Sequence, residues 1–140
     1  MNQGIGDHDG HSLIIVWEDK ARCKSLEQDI AELGYTVVES SLAGLPEAVR
    51  TAQPMGIIID PFINDGEGLK AVTTLESTPL RERPYVLLLL PARPELPDFI
   101  NQLDMSMTGV LTYPYAKDEL RAQLSHIAQK RVNSFRIAPD

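Results

Sequence analysis

Short apolar runs recur at five places along the middle of the chain, each bounded by glycine, proline or polar residues. Runs of this length, rich in Ile, Val, Leu and Tyr, are typical of buried strands. We predict strands at LIIVW (13–17), YTVV (35–38), GIIID (56–60), YVLLLL (85–90) and GVLTY (109–113). The fourth run is apolar on both faces, as expected for a central strand of a parallel sheet.

The segments between these runs carry apolar residues three or four positions apart, which indicates helices with one buried face. The first such helix ends at Gly34, and a short one over 45–52 has Pro46 in its first turn, where proline is tolerated. The helical apolar positions are Cys23, Leu26, Ile30 and Leu33, then Leu69, Val72 and Leu75, then Phe99, Ile100 and Leu103, and finally Leu120, Leu124 and Ile127.

Five alternations of strand and helix predict an α/β fold, a doubly wound (βα)5 sandwich with a five-stranded parallel sheet. Its strand order is either flavodoxin-like or Rossmann-like. Residues 1–12 are expected to form a flexible N-terminal tail, 13–131 the folded domain, and 132–140 a C-terminal tail or linker.

Composition excludes several classes of function. With 140 residues, 43% of them hydrophobic and 24% charged, the chain suits one globular domain, and its net charge of -7 argues against direct nucleic-acid binding. One cysteine, Cys23, excludes an internal disulfide and favours a reducing compartment. No apolar run spans a bilayer and the first twelve residues lack a signal-peptide pattern, so we expect a cytoplasmic protein without membrane contacts.

Acidic residues follow two of the predicted strands. Glu18 and Asp19 come after the first strand and Asp60 after the third. If these strands are neighbours, their carboxylates converge at one edge of the sheet, where a hard cation such as Mg²⁺ or Mn²⁺ would relieve their repulsion. The alternative is structural: Glu18 and Asp19 suit a helix N-terminus, and Asp60 suits a turn. No glycine-rich phosphate loop follows the first strand, so the usual nucleotide-binding site is not expected.

Four segments together resemble the receiver domain of two-component response regulators: LIIVWED, ELGYTVV, GIIIDPFINDGEGLKAV and GVLTYPYAKDEL. The resemblance extends over about residues 13–130. Its best anchor is Asp60 followed eight residues later by Gly68. The second anchor is the Tyr113-Pro114-Tyr115 segment, which is similar to the Lys-Pro-Phe of receivers and also precedes a helix. The resemblance implies a CheY-like fold.

The same resemblance assigns roles to individual residues. Asp60 matches the phosphoaccepting aspartate, and Glu18 matches the second residue of the acidic pair that holds Mg²⁺. The backbone carbonyl of Phe62 would be a further metal ligand beside Asp60 and Glu18.

Three family positions have changed chemistry. Trp17 replaces the first acid, and Tyr113 replaces the lysine. Leu89, or Leu90 if the register slips by one, replaces the Ser/Thr. Hydrogen bonds to a charged group contribute roughly 1.5–3 kcal/mol each, so losing two removes roughly 3–6 kcal/mol. Inverting a two-state equilibrium from 1:99 to 99:1 takes about 5.5 kcal/mol. The usual phosphorylation switch would therefore lose much of its driving force.

We accordingly expect a degenerate receiver that is not an enzyme and acts mainly as an interaction or dimerisation module. Its partner would be a histidine kinase, an output domain or a second copy of itself. The expected partner face comprises Gln102, Tyr113, Pro114, Tyr115, Lys117 and Arg121. Two alternatives stay open: a working receiver phosphorylated at Asp60 with Mg²⁺, and a small α/β domain that binds or converts a small ligand.

Overall fold

The computed structural model of the protein describes residues 12–16, 20–76, 84–91 and 107–137. These residues form five strands and four helices in regular alternation up to the fourth strand. The elements are β1 (Ser12–Val16), α1 (Lys20–Glu32), β2 (Thr36–Glu39), α2 (Leu45–Ala52), β3 (Gly56–Ile59), α3 (Ile63–Glu76), β4 (Tyr85–Pro91), β5 (Thr108–Tyr113) and α4 (Lys117–Ile137).

All five strands belong to one parallel sheet in the order β2-β1-β3-β4-β5. This is the flavodoxin-like order, and it decides between the two topologies that the alternation of elements left open. The third strand lies between β1 and β4, with Ile59 opposite Val16 on one side and Leu88 on the other. The predicted fold class is confirmed.

Successive residues of the central strands alternate between two apolar layers. On one side, Ile15 and Ile58 pack with α1 and α4. On the other side, Ile14, Ile57 and Ile59 pack with α2 and α3. The predicted helical positions Cys23, Leu26, Ile30, Val72, Leu120, Leu124 and Ile127 are all buried. Because both faces of the sheet are covered, the strands need apolar residues at every position, which explains the uninterrupted runs in the sequence.

The ends of the domain differ from the expected boundaries. Ser12, placed in the tail by the sequence pattern, is the first residue of β1 and is paired with Thr36. Residues 132–137, expected as tail or linker, continue α4 to Ile137. Between Pro114 and Pro139 the sequence contains no glycine or proline, so no breaker ends this helix before residue 138. The helix predicted around Phe99 to Leu103 lies outside the described residues.

No helix in the described part of the chain is both long enough and apolar enough to cross a membrane.

Candidate functional site

Asp60 lies directly beyond the end of β3, at the carboxyl edge of the sheet. Its backbone N–H donates to the carbonyl of Val16, with a donor–acceptor distance of 3.4 Å, and its side chain is partly buried. The backbone N–H of Phe62 donates to Asp60 Oδ1 at 2.8 Å, and the N–H of Ile63 donates to the Asp60 carbonyl at 3.3 Å. The carboxylate therefore stands in the crevice where ligands bind in such sheets and also organises the turn into α3.

Gly68 holds the loop after Asp60 close to α3. It is buried, and a Cβ built on it would overlap the Asp60 carbonyl oxygen and lie 3.0 Å from the Pro61 Cα. The next residue, Leu69, donates its N–H to the Pro61 carbonyl at 3.0 Å. Only glycine lets the backbone approach this closely. The eight-residue spacing between Asp60 and Gly68 therefore has a packing cause. The close contact between Gly68 and the loop fixes the position of the Asp60 carboxylate.

Leu89 is the β4 residue level with Asp60. Because Ile59 pairs with Leu88, one further step along the ladder brings Asp60 beside Leu89. Leu89 is 3% exposed and belongs to the same apolar layer as Ile58, the layer towards which Asp60 is directed by strand alternation. Leu90 belongs to the opposite layer. Of the two residues predicted for the Ser/Thr position, Leu89 is therefore the one that lies beside Asp60, and its side chain has no hydrogen-bonding group.

Tyr113 ends β5, opposite Pro91 on β4, and its side chain is partly buried. It packs against the apolar layer that contains Leu89. Its ring meets that of Tyr115 edge-on, with centroids 6.2 Å apart and an interplanar angle of 64°, and the Tyr113–Pro114 peptide bond is cis. The position predicted to match the lysine of receivers therefore holds a phenol, a side chain that cannot carry a positive charge.

The hydroxyl of Tyr115 is used inside the domain. It donates to Asp29 Oδ2 on α1 at 2.7 Å. Lys117 Nζ lies 3.8 Å from Asp29 Oδ1 and 3.4 Å from Glu32 Oε1. Burial first, and then the hydrogen bond to Asp29, raises the pKa of Tyr115 above its ordinary value. We call the Tyr115–Asp29 hydrogen bond with its flanking lysine the α1 latch, since it ties the segment after β5 to α1.

The α1 latch was not foreseen from the sequence. Asp29 and Glu32 have the spacing of charged residues on a solvent-exposed helix face, and the sequence predicts Tyr115 on a partner surface. No local pattern pairs Asp29 with a tyrosine 86 residues away. Only the flavodoxin-like order brings α1 and the start of α4 to the same side of the sheet.

The remaining predicted residues are only partly described. Trp17, Glu18 and Gln102 lie outside the described residues. Pro114 and Arg121 are exposed, and Arg121 Nη1 lies 3.8 Å from Asp118 Oδ1. Both of those side chains are well solvated, so their ion pair contributes little to stability. Of the expected partner face, the structure thus describes the part on β5 and the first turns of α4.

Comparison with known proteins agrees with this architecture. The chain is similar to the uncharacterized transcriptional regulatory protein YkoG of Bacillus subtilis, with 28% identity over 116 residues, 82% of this chain. It spans about half the length of that relative, 49%. No family model matches the chain.

Solved receiver domains have the same fold. One is the CheY-like response regulator receiver domain of Methylobacillus flagellatus, with a TM-score of 0.70, 19% identity, and coverage of 84% of this chain and 98% of the other. Another is the signal receiver domain of a Bermanella marisrubri response regulator, with a TM-score of 0.69 and 16% identity. The match covers 84% of this chain and 98% of that domain. The fold of this chain is that of response-regulator receiver domains.

Proposed function

We propose that this chain, having the fold of response-regulator receiver domains, is a signalling receiver that works through protein contacts rather than through a phosphorylation switch. The proposal rests above all on Leu89. At the position beside Asp60, where a receiver needs a hydroxyl to hold the phosphoryl group, this chain has a buried aliphatic side chain. Under this proposal the chain catalyses no reaction of its own.

The energetic argument follows from the two changed side chains. Phosphoryl transfer to a carboxylate depends on positioning and on neutralising charge on the transferring oxygens. Leu89 can donate nothing to such an oxygen, and Tyr113 can donate only a neutral hydrogen bond. The two missing charge-assisted contacts correspond to roughly 3–6 kcal/mol. That is comparable with the roughly 5.5 kcal/mol needed to invert a two-state equilibrium.

A magnesium ion is compatible with the site but would be weakly held. Asp60 offers hard carboxylate oxygens, and Mg²⁺ usually takes one or two carboxylates and keeps several waters. Asp60, the backbone carbonyl of Phe62 and Glu18 would hold it. When bound, Mg²⁺ would neutralise charge on the oxygens of a phosphoryl donor. This chain's own contribution is the turn that fixes Asp60, with the Phe62 N–H holding one carboxylate oxygen.

The partner face we propose is centred on the end of β5 and the start of α4. Its described members are Tyr113, Pro114, Tyr115, Lys117 and Arg121, and Gln102 is expected beside them. Aromatic rings, proline and a mixture of charges suit an interface. The α1 latch supports this role because it holds the Tyr115 segment on α1 without any phosphoryl group.

The partner itself would be a kinase, an output domain or a second copy. YkoG is named a transcriptional regulatory protein and is about twice as long as the matched segment. An output domain attached to, or bound by, this chain is therefore one concrete form of the proposal.

The decisive experiment is intact-protein mass spectrometry after incubation with acetyl phosphate and Mg²⁺. We expect no phosphoryl-sized gain on this chain while an ordinary receiver treated in parallel is modified. The Asp60→Ala variant is the control for modification elsewhere. A gain that disappears in Asp60→Ala would instead establish a working phosphoacceptor and refute the proposed loss of the switch.

A gain-of-function variant tests the reasoning about individual positions. Leu89→Thr combined with Tyr113→Lys restores a hydroxyl and an ammonium beside Asp60. We expect this variant to gain Asp60-dependent phosphorylation or to hold it longer than the parent chain does. An equally inert double variant that is folded by circular dichroism would show that Leu89 and Tyr113 are not what limits the site.

A further inference from the structure

The side of α4 that faces away from the sheet carries a continuous stripe of exposed residues. The inner side of the helix is buried in the apolar layer that it shares with α1. The stripe begins at Asp118, whose side chain is 94% exposed. The residues four, seven and eleven positions further on lie on the same helix face, and all three are exposed. They are Ala122, Ser125 and Gln129.

The two ends of this face have opposite charges. Asp118 and Arg136 are eighteen residues apart, which is five turns of an α-helix, so both lie on the same face, about 27 Å from each other. Both acidic residues of α4, Asp118 and Glu119, are in its first turn. Residues 130–137 contain three basic residues and no acidic one. We call the face from Asp118 to Arg136 the outer α4 stripe; it is acidic where the helix begins and basic where it ends.

The basic end of α4 projects beyond the sheet. A Cβ built on Gly56, the first residue of β3, would lie 3.1 Å from Ile127 Cγ2. The ring of His126 meets that of Tyr85, the first residue of β4, edge-on with centroids 5.6 Å apart. Positions 126 and 127 of α4 are therefore level with the amino ends of two central strands. The helix continues over residues 128–137, about 15 Å further.

We propose that the outer α4 stripe is a self-association surface, on which a second copy of this chain docks with its own α4 antiparallel. Pairing about a two-fold axis brings Asp118 of each copy level with Arg136 of the other, so the same ion pair forms twice. Parallel pairing would instead set aspartate against aspartate and arginine against arginine, which is repulsive. This assignment rests on the proposed function, since a second copy is one of the partners named there.

The dimer expected from this surface is weak and salt-sensitive. In the antiparallel register Ser125 of one copy is level with Gln129 of the other, so no large side chain separates the helices, whose axes can approach to about 8–10 Å. An interface one helix wide is smaller than the standard of about 1,600 Å². Its ion pairs lie at the surface and are screened by salt. The charges therefore set orientation and specificity more than affinity.

Sedimentation equilibrium of the full chain at low and high ionic strength tests the proposal. We expect a monomer–dimer equilibrium whose dissociation constant rises with salt. Asp118→Arg and Arg136→Asp each place like charges at both contacts, so each should raise that constant by about tenfold or more. The double variant exchanges the two charges and should dimerise again. Restoration by the second substitution distinguishes antiparallel pairing from a general effect of charge, because in a parallel dimer the exchanged residues would still face their own kind.

A matched control is Glu47→Arg on α2. Glu47 is an exposed helical acid on the opposite side of the sheet, and its replacement changes the net charge as Asp118→Arg does. It should leave the dissociation constant unchanged, and circular dichroism should show all variants folded. A chain that stays monomeric at low salt, a dimer indifferent to both single charge reversals, or a double variant as monomeric as the single ones would each overturn the proposal.

The outcome is separable from that of the proposed function. A monomer that takes no phosphoryl group from acetyl phosphate would refute this surface and leave the loss of the switch standing. A dimer that follows the charge reversals but is phosphorylated on Asp60 would refute the loss of the switch and leave this surface standing.

Discussion

Replacing Tyr115 by Phe removes one hydroxyl from the α1 latch and leaves the ring in place. The lost interaction is a 2.7 Å hydrogen bond to Asp29, whose side chain is 18% exposed. Hydrogen bonds to charged groups contribute roughly 1.5–3 kcal/mol, and we expect a value near the lower end because Lys117 and solvent still reach Asp29. A loss of about 1.5 kcal/mol corresponds to a Tm lowered by roughly 3–6 °C for a domain of this size.

The comparison variant is Lys117→Met. Lys117 Nζ lies 3.8 Å from Asp29, but the lysine side chain is 69% exposed, so its removal should cost no more than about 0.5 kcal/mol. Urea denaturation of Tyr115→Phe, Asp29→Ala and the double variant gives the coupling between the two side chains directly. We expect a coupling of about 1–2 kcal/mol. Zero coupling, or a Tyr115→Phe effect no larger than that of Lys117→Met, would refute the reasoning.

Two further predictions concern the same fold. Burial raises the pKa of Tyr85, and burial together with the hydrogen bond to Asp29 raises the pKa of Tyr115, so in an alkaline absorbance titration both should ionise above the ordinary tyrosine pKa of about 10. The Tyr115→Phe variant should lose one of these late transitions. The contribution of these two tyrosines to stability is full below the unfolded tyrosine pKa of about 10 and is lost as pH rises through the raised folded values. Late transitions that are unchanged in Tyr115→Phe would contradict this. Gly68→Ala should lower the free energy of unfolding by about 1–2 kcal/mol, because overpacking against the backbone of Asp60 and Pro61 outweighs the better helix propensity of alanine. An unchanged urea midpoint would show that the loop moves aside at no cost.

The strands could be predicted because most of them are buried on both faces. The residues of β1, β3 and β4 with described side chains are all buried, so periodicity was not needed to find them. The order of the strands could not be predicted, since flavodoxin-like and Rossmann-like folds share the same alternation of elements. The end of α4 differs from the expected boundary because the apolar pattern weakens after Ile127, whereas only a breaker ends a helix reliably.

In the candidate site, too, relations within one βα unit could be predicted from the sequence, and relations between elements could not. Asp60 and Gly68 lie in one βα unit, so their relation is local and visible in the sequence. The run of leucines in β4 carries no internal marker, so the choice between Leu89 and Leu90 required the ladder between β3 and β4. Asp29 was missed because its partner, Tyr115, is on another element.

If the proposed function holds, the features that weaken the switch also stabilise one conformation. A phosphorylation switch needs two arrangements of similar free energy, with new contacts in one of them. Leu89 is packed in the apolar layer beside Asp60, and moving it towards a phosphoryl group would expose aliphatic surface without forming a hydrogen bond. The α1 latch adds a charge-assisted bond to that same arrangement. Both effects favour the state already present, so the segment after β5 would be presented to a partner in a single, constitutive form.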